Sequence, residues 1–286
     1  MSVEVIRDSY CIVYNEKSGR GHNKRSADKL SRTLGGVEVF SVEQYEQPEV
    51  LNRLVQIIYS GDGTICSIAN SLLDSGQRPV LVIAGGGSEN HLQKILDRKN
   101  HTVKTSDLLS LEELQKNAYD YRPCVIEDRG VFFVNAGFGN IETAWAKNLE
   151  ETRKHTPAFI ASYLAYLRAL VELYPDRMTF NMLLADNPIG SLKLPVDEPL
   201  EDQLIQIEIE GKPTTIFFKA FLAAFLWRVG STMPRNLLKI TTGTEFEILA
   251  DNRSREFNLD GEIATANGNL KVKRSKEHIK MLALRT

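Results

Sequence analysis

The residues best suited to chemistry stand in short polar loops, each following an apolar run. Residues 60–64 read Ser-Gly-Asp-Gly-Thr, between the run 54–59 and a helix-like stretch over 64–73. Glycines let a backbone approach a phosphate closely, and a helix starting there offers free N–H groups and the positive end of its dipole. Asp62 is out of place if anion binding is the only task, because a carboxylate beside phosphates implies a metal ion or a proton transfer. The plainer reading is a tight strand-to-helix turn with Asp62 as a cap. Residues 85–90, Gly-Gly-Gly-Ser-Glu-Asn, follow the run 79–84 and precede an apparent helix; alone they fit a structural turn equally well. Residues 15–21, Asn-Glu-Lys-Ser-Gly-Arg-Gly, follow the run 10–14. Ser18 and Gly19 suit phosphate there, with Arg20, Lys24 and Arg25 as counter-charge; the alternative is a solvated basic loop.

The elements that must position these loops alternate. Strand-like runs at 10–14, 37–40, 54–59 and 79–84 are separated by helix-like stretches such as 24–34 and 64–73. That alternation predicts parallel β-α units and a doubly wound α/β sheet. Ligands bind such sheets beyond the carboxyl ends of the strands, so the loops are expected to converge on one rim. The second half reads differently. Strand patterns at 132–135, 178–184, 204–210, 237–241, 245–249, 256–259 and 270–272, with helices over 159–174 and 214–227, predict an antiparallel β-rich domain. Residues 204–210 alternate cleanly, with one face buried and one wetted. The boundary falls within 122–131.

Composition narrows the function. The chain has 286 residues, 42% hydrophobic and 25% charged, which excludes disordered and collagen-like architectures. A net charge of -2 argues against bulk nucleic-acid binding. Cys11, Cys66 and Cys124 lie far apart with no Cys-x-x-Cys, against a disulfide framework or a cysteine zinc site and in favour of a reducing compartment. The first residues hold no apolar run fit for a secretory signal, and the apolar stretch 220–227 is too short to span a bilayer. P-loop, Gly-x-Gly-x-x-Gly, His-Glu-x-x-His and Gly-x-Ser-x-Gly motifs are missing from the sequence. His22, His91, His101, His155 and His278 are scattered, and only His91 sits beside a candidate loop.

In this order the loops resemble the diacylglycerol kinase catalytic-domain family, which includes bacterial lipid kinases, sphingosine kinases and ceramide kinases. Asn15, Ser18 and Gly19 match its Asn-Pro-x-Ser-Gly motif, residues 60–64 its Gly-Gly-Asp-Gly-Thr signature, and Gly87, Ser88 and Asn90 its Gly-Thr/Ser-x-Asn motif. Residues 135–139 (NAGFG), the helix over 159–174, the segment with Pro195 and Asp202, and Leu259-Asp260-Gly261-Glu262 also resemble the family, so the likeness covers nearly the whole chain.

The resemblance implies an N-terminal nucleotide-binding α/β domain, residues 1–125 with 273–286 returning to it, and a C-terminal antiparallel β-sandwich acceptor domain, 126–272. It implies transfer of the ATP γ-phosphate to a lipid hydroxyl, such as diacylglycerol or a sphingoid base, in a cleft between the two. Asn15, Ser18, Gly19, Arg20, Ser60, Gly61, Gly63, Thr64, Gly86, Gly87, Ser88 and Asn90 would bind nucleotide. Asp62 would hold Mg²⁺ or accept the hydroxyl proton, Glu262 is the rival base, and Asp202 a second metal carboxylate. The expected protein is cytoplasmic and peripherally membrane-associated, with a lipid substrate at the membrane surface, no nucleic-acid partner and no transmembrane segment; a homodimer is left open.

The sequence departs from the family at Glu16 for proline, His91 for aspartate and Gln203 for glycine. A catalytically weak nucleotide or lipid sensor is therefore an alternative. Another is an NAD kinase-like enzyme, which shares the Gly-Asp-Gly loop. Its Asn-Glu motif is matched only by the non-contiguous Asn140-Ile141-Glu142, and Leu259-Asp260-Gly261-Glu262 favours lipid kinases. The stripe Phe159, Ile160, Tyr163, Leu164, Leu167, Leu170 and Val171 reads as the core face of a helix, with an acyl-chain cavity as the alternative. Phe217, Phe218, Phe221 and Phe225 carry the same ambiguity.

Overall fold

The computed structural model describes residues 8–18, 21–87, 90–127, 130–132, 134–174, 178–185, 203–229, 234, 236–248, 255–260 and 262–285. The chain divides into two compact units, Met1–Pro123 with Ser275–Thr286, and Cys124–Arg274. The first begins with β1 (Tyr10–Tyr14), α1 (His22–Thr33), β2 (Val39–Ser41), the short α2 (Pro48–Leu51) and β3 (Val55–Tyr59). It continues with α3 (Asp62–Ser75), β4 (Val80–Ile83), α4 (His91–Arg98), β5 (Thr102–Lys104), α5 (Leu111–Asn117) and β6 (Tyr119–Tyr121). The second unit holds β7 (Cys124–Ile126), β8 (Gly130–Phe132), β9 (Asn135–Gly137), α6 (Asn140–Arg153), α7 (Ala158–Leu173), β10 (Phe180–Leu184), β11 (Leu204–Ile209) and α8 (Pro213–Val229). It closes with β12 (Lys239–Gly243), β13 (Glu245–Ile248), β14 (Arg255–Leu259), β15 (Glu262–Ala266) and β16 (Leu270–Arg274). The chain then returns to the first unit as β17 (Ile279–Arg285).

The sheet of the first unit runs β2-β1-β3-β4-β17-β5 in parallel, with β6 antiparallel on β17. Strands β1, β3 and β4 are apolar on both faces apart from Gln56 and buried apart from Tyr14, as strands covered by helices on both sides must be. Ile12, Ile57, Val82 and Leu282 pack with Ala27 and Leu30 of α1. The alternate residues Cys11, Val13, Ile58 and Ile83 are buried too. Helix α3 buries Ile65, Cys66, Ile68, Ala69 and Leu72, and stops at Gly76, whose φ of 71° is the left-handed cap that glycine adopts without strain.

The second unit carries an antiparallel sheet, β12-β11-β10-β9-β14-β15, and a four-stranded one, β13-β16-β7-β8. Alternation along β10 and β11 serves two cores. Leu183 and Leu204 join Cys124, Ile126, Phe257 and Val272 between the sheets, where Phe138 and Phe257 stack with ring centroids 5.5 Å apart. Leu184, Ile205, Ile207 and Ile209 face the other way, onto Leu170, Ile216 and Ala220 of the helices. The expected architecture, a parallel α/β half followed by antiparallel sheets, is the one observed.

Details differ from the sequence expectation. The run 132–135 is two strands, β8 and β9, with Val134 between them. Helix α6 and strands β15 and β17 had no distinct pattern of their own. The apolar stripe on α7 is divided: Leu170 is buried in the core, Tyr163 and Leu167 are half-buried, and Ile160, Leu164 and Val171 are exposed, while Ala161, Ala165 and Ala169 are buried. Small residues allow close approach of helices, and here Trp145 of α6 packs by Ala161 and Ala165 and donates its indole N–H to Ser162 O at 3.0 Å. On α8, Phe217 joins the core, but Phe218, Phe221 and Phe225 are exposed. Cys11, Cys66 and Cys124 are buried and not joined in disulfides, and burial pushes the Cys11 thiol up to about 12. Among the described residues no helix is long and apolar enough to cross a membrane.

Candidate nucleotide-binding site

Strands β1, β3 and β4 are neighbours in the sheet, so the loops that leave them must emerge side by side. After β1, Asn15 N–H donates to Tyr59 O at 3.0 Å, tying this loop to the end of β3. The Asn15 side chain donates to Thr64 Oγ1 at 2.8 Å and accepts from Lys17 N–H at 2.9 Å, which curls the loop over the start of α3. Ser18 N–H lies 3.4 Å from Asn15 O.

The loops after β3 and β4 touch through bare backbone. A Cβ added to Gly87 would fall 2.6 Å from Gly61 Cα, so only glycine fits there without pushing the loops apart. Gly87 N–H donates to Asn90 Oδ1 at 2.8 Å, and Asn90 itself adopts a left-handed conformation, φ 49°. Gly86, at φ 142°, leaves no room for a side chain beside Asn23.

Asp62 occupies the first turn of α3, but it caps a different helix. Its Oδ2 accepts His91 N–H at 2.8 Å and its Oδ1 accepts Leu92 N–H at 3.2 Å. Two otherwise orphaned donors at the start of α4 are thereby satisfied by a carboxylate at the favourable end of the helix dipole. By contrast, among the described residues no side chain caps α1 or α3, both of which are preceded by a glycine. Ser60, 2% exposed, has a buried hydroxyl with no hydrogen-bond partner among the described residues.

One residue of this network belongs to no motif in the sequence. Asn23 is 4% exposed, and its amide nitrogen stands 2.8 Å from Ser18 Oγ, 3.0 Å from Asn15 O, 3.2 Å from Ser18 O and 3.3 Å from Gly86 O. It joins the loop after β1 to the loop after β4. The available signal was its place one turn ahead of Ala27 and Leu30 on the buried stripe of α1, where an asparagine needs partners.

The structure thus brings together Asn15, Ser18, Ser60, Gly61, Asp62, Thr64, Gly86, Gly87 and Asn90, with Gly63 inside the first turn of α3. Gly19, Arg20, Ser88 and Asp202 lie outside the described residues. Glu16 is exposed, and Lys24 is ion-paired with Asp28 at 3.1 Å. Glu262 belongs to the second unit, where it opens β15 opposite Leu259. The Asp260 carboxylate accepts Val134 N–H at 3.1 Å and Asn135 N–H at 2.7 Å, so this aspartate of the Asp-Gly-Glu run pins the turn before Glu262 to β9.

The donor set suits an oligophosphate: helix N–H groups, glycine backbone and a buried, unpartnered hydroxyl. For a cation the protein supplies little. Among the described residues no three His, Cys, Asp or Glu side chains stand together as a metal cluster. Each Asp62 oxygen accepts one N–H and keeps further acceptor capacity. That fits Mg²⁺, which uses one or two carboxylates together with phosphate oxygens and water. Burial pushes the neighbouring Tyr59 phenol upward, so it stays protonated at neutral pH and is no base.

Residues 9–119 match the family described as diacylglycerol kinase catalytic domain, a span that contains all of these loops. Among solved structures, a candidate diacylglycerol kinase from Bacillus anthracis str. Sterne is 15% identical with a TM-score of 0.64, over 96% of this chain and 97% of that one. A second such structure from the same strain is 14% identical with a TM-score of 0.63, again over 96% and 97%. A diacylglycerol kinase from that strain is 13% identical with a TM-score of 0.59, over 96% of each chain. At these identities the likeness is one of fold. No curated protein matches this chain.

Proposed function

We propose that this chain, whose residues 9–119 match the diacylglycerol kinase catalytic domain, is an ATP-dependent lipid kinase that transfers the γ-phosphate to a lipid hydroxyl. The observation that carries the reading is the fastening of three polar loops at the ends of β1, β3 and β4 by Asn15, Asn23, Asp62 and the Gly61–Gly87 contact. Phosphoryl transfer is mostly positioning and charge neutralisation, and a rim held this rigidly serves both. In this reading the N–H groups opening α1 and α3, with Ser18, Ser60 and Thr64, hold the phosphates. Asp62 would hold Mg²⁺, with Asp202 as a second carboxylate. Bound Mg²⁺ supplies neutralisation of phosphate charge.

Asp62 is a poor general base, because protonating it would weaken its bonds to His91 and Leu92. Glu262 would therefore take the substrate proton. The test is transfer of label from γ-labelled ATP with Mg²⁺ to diacylglycerol, sphingosine, monoacylglycerol or NAD in mixed micelles. A labelled lipid supports the reading and names the acceptor class. Label on NAD alone overturns it in favour of a small-molecule kinase, and ATP binding without any transfer overturns it in favour of a sensor.

A further inference from the structure

Three consecutive glycines, Gly85, Gly86 and Gly87, follow β4 after Ala84. Gly85 and Gly86 take φ of 72° and 142°, a region that favours glycine. A run of this kind gives up much conformational freedom on ordering and has no side chains to anchor it, so a fixed path needs fastening from outside. Each of the three meets the amide of an asparagine or glutamine. Asn23 Nδ2 stands 3.3 Å from Gly86 O, and Gly87 N–H donates to Asn90 Oδ1 at 2.8 Å. Gly85, which is buried, meets Gln93: a Cβ built on Gly85 would collide with Gln93 Oε1, so that oxygen fills the place of a side chain at 85.

The other end of the Gln93 amide is fixed. Its Nε2 donates to Leu284 O at 3.2 Å. Leu284 belongs to β17, a strand inserted between β4 and β5 and buried over Met281–Leu284, which makes it a rigid reference. One helical turn past Gln93, Asp97 accepts Arg285 Nε at 3.3 Å and Nη2 at 3.2 Å. Residues 93 and 97 share a face of α4, and that face lies along the end of β17. The Asp97–Arg285 pair is exposed on both sides and contributes little. Gln93 is half-buried and reaches from the strand to the loop.

We infer that Gln93 is a positioning residue for phosphate binding: its amide, fixed on Leu284 O, holds Gly85 and with it the backbone of Gly86 and Gly87 in the path that receives phosphate. The inference rests on the proposed binding of ATP phosphates at these loops. A side chain that only sealed α4 against β17 would change stability and leave affinity alone.

The test uses Gln93→Met, which keeps length and volume without the amide, and Gln93→Ala, which also vacates the space. Titration calorimetry with Mg²⁺ and ATP, the same with inorganic tripolyphosphate, and amide hydrogen exchange over 85–87 compare them with the wild type and Arg285→Ala. Both Gln93 variants are expected to bind ATP and tripolyphosphate about tenfold more weakly and to exchange faster over 85–87. Arg285→Ala cuts the exposed pair on the same helix face and is expected to keep wild-type affinity.

Unchanged affinity in Gln93→Met overturns the inference, as does unchanged exchange over 85–87. An equal loss of affinity in Arg285→Ala also overturns it, and assigns the effect to a general loosening of α4. Gln93 variants without a cooperative unfolding transition overturn it by showing a structural role. A wild type that binds tripolyphosphate but not ATP overturns the kinase reading, and the tripolyphosphate affinities then decide the inference. A wild type that binds neither overturns both.

Discussion

The Asp62 carboxylate accepts N–H groups from His91 and Leu92, so it fastens one loop to the next besides any part it takes in chemistry. Asp62→Asn leaves one acceptor oxygen and turns an NH₂ group toward a backbone N–H. The expected outcome is loss of turnover together with about 1–3 kcal/mol of stability, read as a lower urea midpoint. A fully active Asp62→Asn protein would remove Asp62 from the proposed catalytic machinery. Asn23 is the other decisive residue at this scale. Asn23→Ala removes the two amide hydrogens shared among the carbonyls of Asn15, Ser18 and Gly86 and the Ser18 hydroxyl, and detaches the loop after β1 from the loop after β4. We expect a loss of about 1–3 kcal/mol. The KM for ATP should rise about tenfold or more, with a smaller effect on kcat, as befits a residue that holds a binding loop. An unchanged KM would show that its role is only structural.

At the scale of elements, the last strand is the most consequential. β17 lies between β4 and β5 and also takes β6 antiparallel on one edge. Met281, Leu282, Ala283 and Leu284 are all buried there. Ending the chain before Ser275 would expose the edge of β4 and leave β5 and β6 without a partner strand in the sheet. The expected product is an aggregating protein without a cooperative unfolding transition; a soluble, cooperatively folding truncation would refute this. The periodicities of α3 and of β11 were readable because one face of each is buried, and burial leaves a pattern. β17 was harder to place. Its residues are apolar on both faces, and nothing local tells a strand which neighbours it will insert between.

At the scale of the whole molecule, burial has a pH signature. Tyr10 and Cys11 sit within the β1 core, and desolvation raises the ionisation of each to about 12, against ordinary values of 10.0 and 9.0. Above those ordinary values the unfolded chain releases protons that the folded chain retains. Stability is therefore full below about pH 9 and falls as pH rises toward about 12, by up to about 1.4 kcal/mol per pH unit for each group. Urea unfolding across that window checks this; a flat profile would contradict it. The sequence alone determined the alternation of strand and helix, the antiparallel second half and the loops 15–18, 60–64 and 85–90, because backbone freedom and hydrophobic period are local properties written residue by residue. Only the tertiary structure decided that Asp62 caps α4 instead of its own helix. It likewise decided that Asn23 spans two loops, and that α7 buries Leu170 with its alanines while leaving Ile160, Leu164 and Val171 exposed. Each of these depends on which segments become neighbours, and that is set by packing across sequence separations that no local pattern encodes.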